Sequence, residues 1–246
     1  KTTGPKGEKI QGFGISVDAS EFESFLAGRG GTIYHDGKFD FTSPEVTATF
    51  QMYHDLFSQG CAYVATDSNR LFGNTDDFAL GLNVMASTST AGLPFIQSGF
   101  NKAGITADWV LTTTPWTEGN RAIQLFAPSL IMIRSTPEKQ LATWLFIKYL
   151  SAADKQAQWS TSTLYFTTRT SSDKMLGDKA MKDPYFGKAT ELINDKDMHI
   201  YASPGISAYT QVRSLIADAV VAVTSGGKSV DEVTKKLQSD ADAIEQ

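Results

Sequence analysis

Three histidines, one cysteine and a few acidic pairs are the residues of this chain best suited to catalysis or metal binding, and their spacing supports neither. His35, His54 and His199 are scattered and form no H-x-x-x-H pattern. Cys61 follows Gly60 with no nucleophile signature around it, and no G-x-S-x-G elbow occurs. Asp76-Asp77 and Asn194-Asp195-Lys196-Asp197 gather carboxylates without the Asp, Gly and Glu positions of a calcium-binding loop, so they read as solvated loops. A glycoside-hydrolysing carboxylate pair is defined by a distance in space, and sequence leaves that chemistry open. No cofactor and no metal is expected.

Residues suited to binding are better grouped. Ser87-Thr88-Ser89-Thr90 sets four hydroxyls in a row after an apolar segment, where they could meet a polar ligand or simply form a turn or helix cap. Trp116, beside Pro115, could stack on a ligand or on its own loop. Arg121, Arg169 and Arg213 offer guanidinium forks for an anion, or surface ion pairs.

The elements that must position these residues follow from periodicity. The mixture is α/β. Residues 10–17 alternate around Gly12 and Gly14 and predict a strand with close backbone approaches, and residues 1–9 read as a loop. A short helix over 21–27 and a hairpin turning at Asp36-Gly37 come next. Ser43-Pro44-Glu45 opens a helix whose inner face is Val46, Phe50, Tyr53 and Phe57, ended by Gly60. A short helix is predicted over 76–80, and strands over 82–86, 108–111 and 126–133, the last one buried. Thr136-Pro137-Glu138 opens a helix carrying Leu141, Trp144, Leu145 and Ile147, and a second runs over 151–159. Val212, Leu215, Ile216, Ala219, Val220 and Val223 mark a long helix, and Ser229-Val230-Asp231-Glu232 is a capping box for the last one.

Composition narrows the class. The 246 residues carry 41% hydrophobic and 20% charged side chains, an ordinary globular balance. The net charge of -5 argues against nucleic acid or an anionic membrane as partner. Cys61 has no second cysteine to pair with, and no apolar run approaches the ~20 residues that span a bilayer.

The order of several short motifs resembles the extracellular solute-binding proteins of ATP-driven (ABC) importers, in their maltose- and glycerol-phosphate-binding branch. Gly30-Gly31 through Asp36-Gly37-Lys38 is similar to the family's G-G…D-G-K hairpin before a Ser-Pro-Glu helix. Phe78-Ala79-Leu80-Gly81-Leu82-Asn83-Val84-Met85 resembles F-x-x-G-x-x-A-M, with Val84 in place of Ala. Thr163 through Arg169 resembles T-G-Y-L-P-V-R, departing at Leu164 and Thr167.

That resemblance implies a two-lobed type II periplasmic-binding-protein fold with ligand held in the cleft. It implies that residues 10–112 and 153–246 build the second, C-terminal lobe, while 113–152 supply a strand and helix to the first. The family's N-terminal segment, on the order of a hundred residues, would precede this sequence. Leu125, Ile131, Ile133, Trp144 and Leu145 would then stand exposed, and the isolated chain is expected to self-associate or to need its other half.

Position by position, the resemblance places Asp18, Ser20, Ser87, Ser89, Thr90, Trp116, Phe126, Tyr165 and Tyr209 at the ligand. It implies a sugar or oligosaccharide passed to a membrane permease, with a glycerol-phosphate-type anionic polyol as the alternative. A carbohydrate-active enzyme and a sensor ectodomain stay open. The implied location is periplasmic or extracellular, or lipid-anchored through an upstream segment.

Overall fold

In the computed structural model, residues 2–3, 7–67, 69–126 and 129–244 are described. The central strand β2 (Lys9–Ile15) follows a two-residue strand β1 (Thr2–Thr3), which pairs with it antiparallel. The start of the chain is thus not wholly a loop. Next come α1 (Ala19–Ala27), the hairpin β3 (Tyr34–His35) and β4 (Lys38–Phe39), and α2 (Pro44–Ser58). Asp36 and Gly37 both take positive φ, the geometry that a two-residue hairpin turn demands.

Strand β5 (Ala62–Val64), α3 (Gly73–Ala79), β6 (Asn83–Ala86), a 3-10 turn (Thr90–Gly92) and α4 (Leu93–Ala103) follow. Strands β5 and β6 both pair with β2 in parallel. Then come β7 (Ala122–Gln124), α5 (Pro137–Leu150), α6 (Ala153–Thr163), α7 (Thr170–Asp173), α8 (Asp178–Met181) and α9 (Pro184–Ile193). Strand β8 (His199–Tyr201) pairs with β7 in parallel, and α10 (Tyr209–Val223) and α11 (Val230–Ile244) complete the chain.

Glycine admits close approach in β2. A Cβ on Gly12 would lie 2.6 Å from the carbonyl oxygen of Cys61, the acceptor for the Gly12 amide. Gly12→Ala is therefore expected to cost about 1–3 kcal/mol, read as a lower urea midpoint with an unchanged slope.

The main core lies where α1, α2, α10 and α11 cover the sheet. Phe22 stacks between Phe50 (centroids 4.5 Å) and Tyr53 (6.5 Å), and Phe25 meets Phe13 and Tyr53 edge-on. Val212, Ile216 and Val220 close the other side. The Ser43 hydroxyl accepts from the Val46 amide, so the helix start works as its sequence suggests. Only half of the last capping box forms: the Glu232 amide reaches Ser229, but its carboxylate pairs with Lys228.

A second, smaller core gathers Leu93, Leu164, Ala180 and Phe186, with Trp109, Leu111 and Phe166 against them. This corrects the strand expected at 108–111. Its alternation is real, with Trp109 and Leu111 inward and Val110 outward, but the segment sits in no strand. Trp109 instead stacks on Tyr185 at 3.7 Å.

The buried strand expected at 126–133 is also corrected. Residues 127–128 lie outside the described residues, and those around them form no strand. Ile131 and Ile133 are 86% and 83% exposed. A largely apolar run reads as a buried strand because such strands have neighbours on every side; no strand pairs with this segment among the described residues. Helix α5 behaves likewise: it forms, capped by Thr136, yet none of its residues is buried. Leu125, Trp144 and Leu145 join Ile131 and Ile133 among the exposed residues, as expected.

Candidate ligand-binding site

Helix α1 is the scaffold of the site. Asp18 caps it by accepting from the Ser20 amide at 2.7 Å, which leaves its second oxygen free to turn outward. That oxygen pairs with Arg213 Nη2 at 2.9 Å, and the same nitrogen donates to Ser20 Oγ at 3.0 Å. Arg213 Nη1 donates to the Tyr209 hydroxyl at 3.1 Å, and the guanidinium lies 5.6 Å from the Tyr209 ring centre. Asp18, Ser20 and Tyr209, expected at a ligand, are thus joined through one arginine.

Below them lies a carboxylate that sequence reasoning passed over. Glu23 is 0% exposed, and accepts from the Tyr201 hydroxyl at 2.7 Å and from the Tyr209 hydroxyl. Burial raises its pKa above the ordinary glutamate value, although the tyrosine and serine hydroxyls and Arg213 pull the other way. The Tyr209 hydroxyl is pushed up to about 12 by burial and by its bond to Glu23. Beside this group, Ser24 donates to Gln124 Oε1 at 2.9 Å, and Gln124 Nε2 donates to Ser203 Oγ at 2.8 Å.

Ser87 reaches α1 from the other side. Its hydroxyl donates to Glu21, a second glutamate buried in this nine-residue helix. Glu21 and Glu23 sit two apart, so they project from different faces. A one-sided helical pattern gives no reason to bury both, and that is why neither was legible.

The remaining expected contacts are not gathered here. Ser89 caps the 3-10 segment and Thr90 is its first residue. Trp116 lies by the C-terminal end of α1, where the Thr117 amide donates to Gly28, and it packs against Arg121 at 5.5 Å rather than on the Arg213 group. Phe126 is half-exposed beyond β7, and Tyr165 is half-exposed after α6. Among the described residues, no hydrogen bond or ring contact joins the side chains of Ser89, Thr90, Phe126 or Tyr165 to Arg213. Phe166 packs on Phe186 in the second core.

None of the three arginines is free. Arg213 holds Asp18, Arg121 Nη1 holds Asp195 at 2.5 Å, and Arg169 Nη1 donates to the Ser151 carbonyl at 2.9 Å. A pocket of about 500 Å³ opens at the far end of α1, lined by Gly30, Thr32, Asn120, His199 and Tyr201 among others. It meets the Arg213 group only through Tyr201, and none of the nine expected contacts lines it.

A family model of bacterial extracellular solute-binding proteins matches residues 6–188. The chain belongs to that family. The family is one of transport solute-binding proteins, found outside the cytoplasm, and not a family of enzymes. No curated protein matches this solute-binding protein in sequence. Solved structures share its fold. The sugar-binding protein MalE from Xanthomonas citri superposes with a TM-score of 0.74 at 18% identity, over 96% of this chain and 58% of its own. The GacH receptor of Streptomyces glaucescens, solved unliganded and with acarbose, gives 0.72 at 17% identity, over 97% and 59%. UgpB from Mycobacterium tuberculosis, solved with glycerophosphocholine, gives 0.69 at 16% identity, over 96% and 57%. The type II periplasmic-binding-protein fold expected for this solute-binding protein therefore holds, and the chain spans about 58% of the length of such a structure. No helix among the described residues is long and apolar enough to cross a membrane.

Proposed function

We propose that this solute-binding protein serves an ABC-type importer by holding a neutral sugar or oligosaccharide against Asp18, Ser20, Tyr209 and Arg213, for delivery to a membrane permease. The observation that carries this reading is the state of Arg213. Its charge is matched by Asp18 at 2.9 Å, with the buried Glu23 behind Tyr209. Such a surface offers paired donors and acceptors to sugar hydroxyls and an aromatic face to sugar C–H groups. It offers no unmatched cation to a phosphate, which favours a neutral ligand over an anionic polyol. The family's role in transport supports a receptor without turnover, held outside the cytoplasm.

In the same reading, 10–112 and 153–246 form the second lobe, and 113–152 pack on the first. The apolar surface of α5 and of residues 130–133 is the support for that division. Ser89, Thr90, Trp116, Phe126 and Tyr165 complete the ligand surface when the lobes close, a population shift driven by ligand.

Asp18→Asn tests the charge argument by freeing Arg213. Calorimetry should show maltose binding weakened about tenfold or more, by about 1.4 kcal/mol, while glycerol 3-phosphate gains affinity. Wild-type protein that binds glycerol 3-phosphate and ignores maltose would refute the neutral-ligand reading.

A further inference from the structure

We propose that Glu21 is a positioning residue, a buried latch that holds the Ser87–Thr90 loop against the start of α1. The loop hydroxyls are ligand contacts only under the function proposed above; the latch itself stands on the geometry.

Three elements converge on this carboxyl, which is 5% exposed. The Ser16 amide, where β2 ends, donates to both oxygens at 3.1 and 3.2 Å. The Tyr53 hydroxyl of α2 donates to Oε1 at 3.2 Å, and the Ser87 hydroxyl, just past β6, donates to Oε2. Asn74 of α3 braces the same serine: its Nδ2 donates to the Ser87 carbonyl at 2.9 Å and to the Ser87 hydroxyl at 3.3 Å. The loop therefore leaves β6 through a residue held at backbone and side chain from two directions. Among the described residues, Ser87 is the one of the four hydroxyl side chains that hydrogen-bonds to α1, so Glu21, with Asn74, sets where Thr88, Ser89 and Thr90 begin.

The partners make the latch sensitive to protonation. The groups facing the carboxyl from β2, α2 and the end of β6 are an amide, a phenol and a hydroxyl; none carries positive charge. Among the described residues, the charged group acting on it is Asp18, of like sign. Burial, opposed by the bonds to Ser87, Ser16 and Tyr53, pushes the Glu21 carboxyl up to about 8. Closed, the latch keeps its proton through neutral pH. Opened to water, the carboxyl returns to an ordinary value near 4.5 and loses it. The closed state therefore binds the extra proton, so closure is fully favoured below about pH 4.5 and weakens as pH rises to about 8, beyond which it changes no further. One proton sets a limit of about tenfold per pH unit in the closed-to-open ratio.

Hydrogen exchange of peptides covering 84–93, corrected for intrinsic rate and compared with peptides from α10, tests this without any ligand. In wild-type protein, loop protection should fall with pH between about 5 and 8, approaching that tenfold limit per unit, and then level off. Glu21→Gln cannot ionise; its Oε1 accepts from Ser16 and Tyr53, and its Nε2 donates to the Ser87 oxygen in place of the bond that Ser87 gives to the carboxyl, so protection should persist with no pH slope. Ser87→Ala, which removes the hydroxyl's bonds to Glu21 and Asn74 and leaves the Ser87 carbonyl's bond to Asn74, should lose loop protection while α10 keeps its own. A slope that survives in Glu21→Gln, or loop protection unchanged in Ser87→Ala, would overturn the proposal. A working latch in a protein that fails to bind maltose would leave this inference standing and remove only the ligand reading.

Discussion

Phe22→Ala is expected to lower the unfolding free energy by about 3–5 kcal/mol, the largest loss from any single truncation considered. The ring is fully buried and lies against Phe50 and Tyr53 at the point where α1 meets α2. Its removal leaves a cavity that the two neighbouring rings, Tyr53 itself held edge-on by Phe25 in a buried cluster, cannot collapse to fill. The loss carries to the site because Asp18, Ser20, Glu21 and Glu23 ride on the same helix. Equilibrium urea unfolding measures it. A change below about 1 kcal/mol would mean that α1 is not anchored as described.

The second large effect is on association. Leu130, Ile131, Ile133, Leu141, Trp144, Leu145 and Phe146 are all exposed on one stretch of chain. A soluble protein rarely leaves such a surface to water. In the proposed reading another lobe covers it; in the 246-residue chain by itself, copies should cover one another. Sedimentation at tens of micromolar should show dimers or larger species, and Trp144→Lys with Leu145→Lys should return the chain to monomer. The double variant should keep its fold, because none of α5 is buried. A monomeric wild-type chain under those conditions would contradict the interface, and with it the division at 113–152.

Much of the frame was legible because its signals are local. Ser43-Pro44-Glu45 starts α2 through a hydroxyl cap and a proline at the first turn. The pattern running from Val212 to Val223 buries its expected face in α10, apart from the half-buried Leu215. Strands β5, β7 and β8 have three residues each, too few to show a period of two. Helix α4 carried a readable spacing in Leu93, Ile96 and Phe100, with Pro94 in its first turn, and α9 a capping Asp183; both went unassigned. At 126–133 local hydrophobicity was read correctly, but a strand needs a partner, and partners are not a local property.

The site divides in the same way. Asp18, Ser20 and Tyr209 came from resemblance, because nothing local marks them. Arg213 was visible as a charge, but its partner Asp18 is 195 positions away, so its neutralisation is a product of the fold. In the proposed reading, that pairing makes Arg213 part of a neutral surface rather than an anion fork.

The central claim is that a neutral saccharide meets the start of α1 and the start of α10. Titrating isotope-labelled protein with millimolar maltose and following backbone amide resonances tests it directly, and it detects even weak binding. Shifts clustered at residues 18–24, 87–90 and 209–213, absent with glycerol 3-phosphate, are the predicted result. Shifts confined to Gly30, Asn120 and His199, or shifts produced by glycerol 3-phosphate alone, would contradict it.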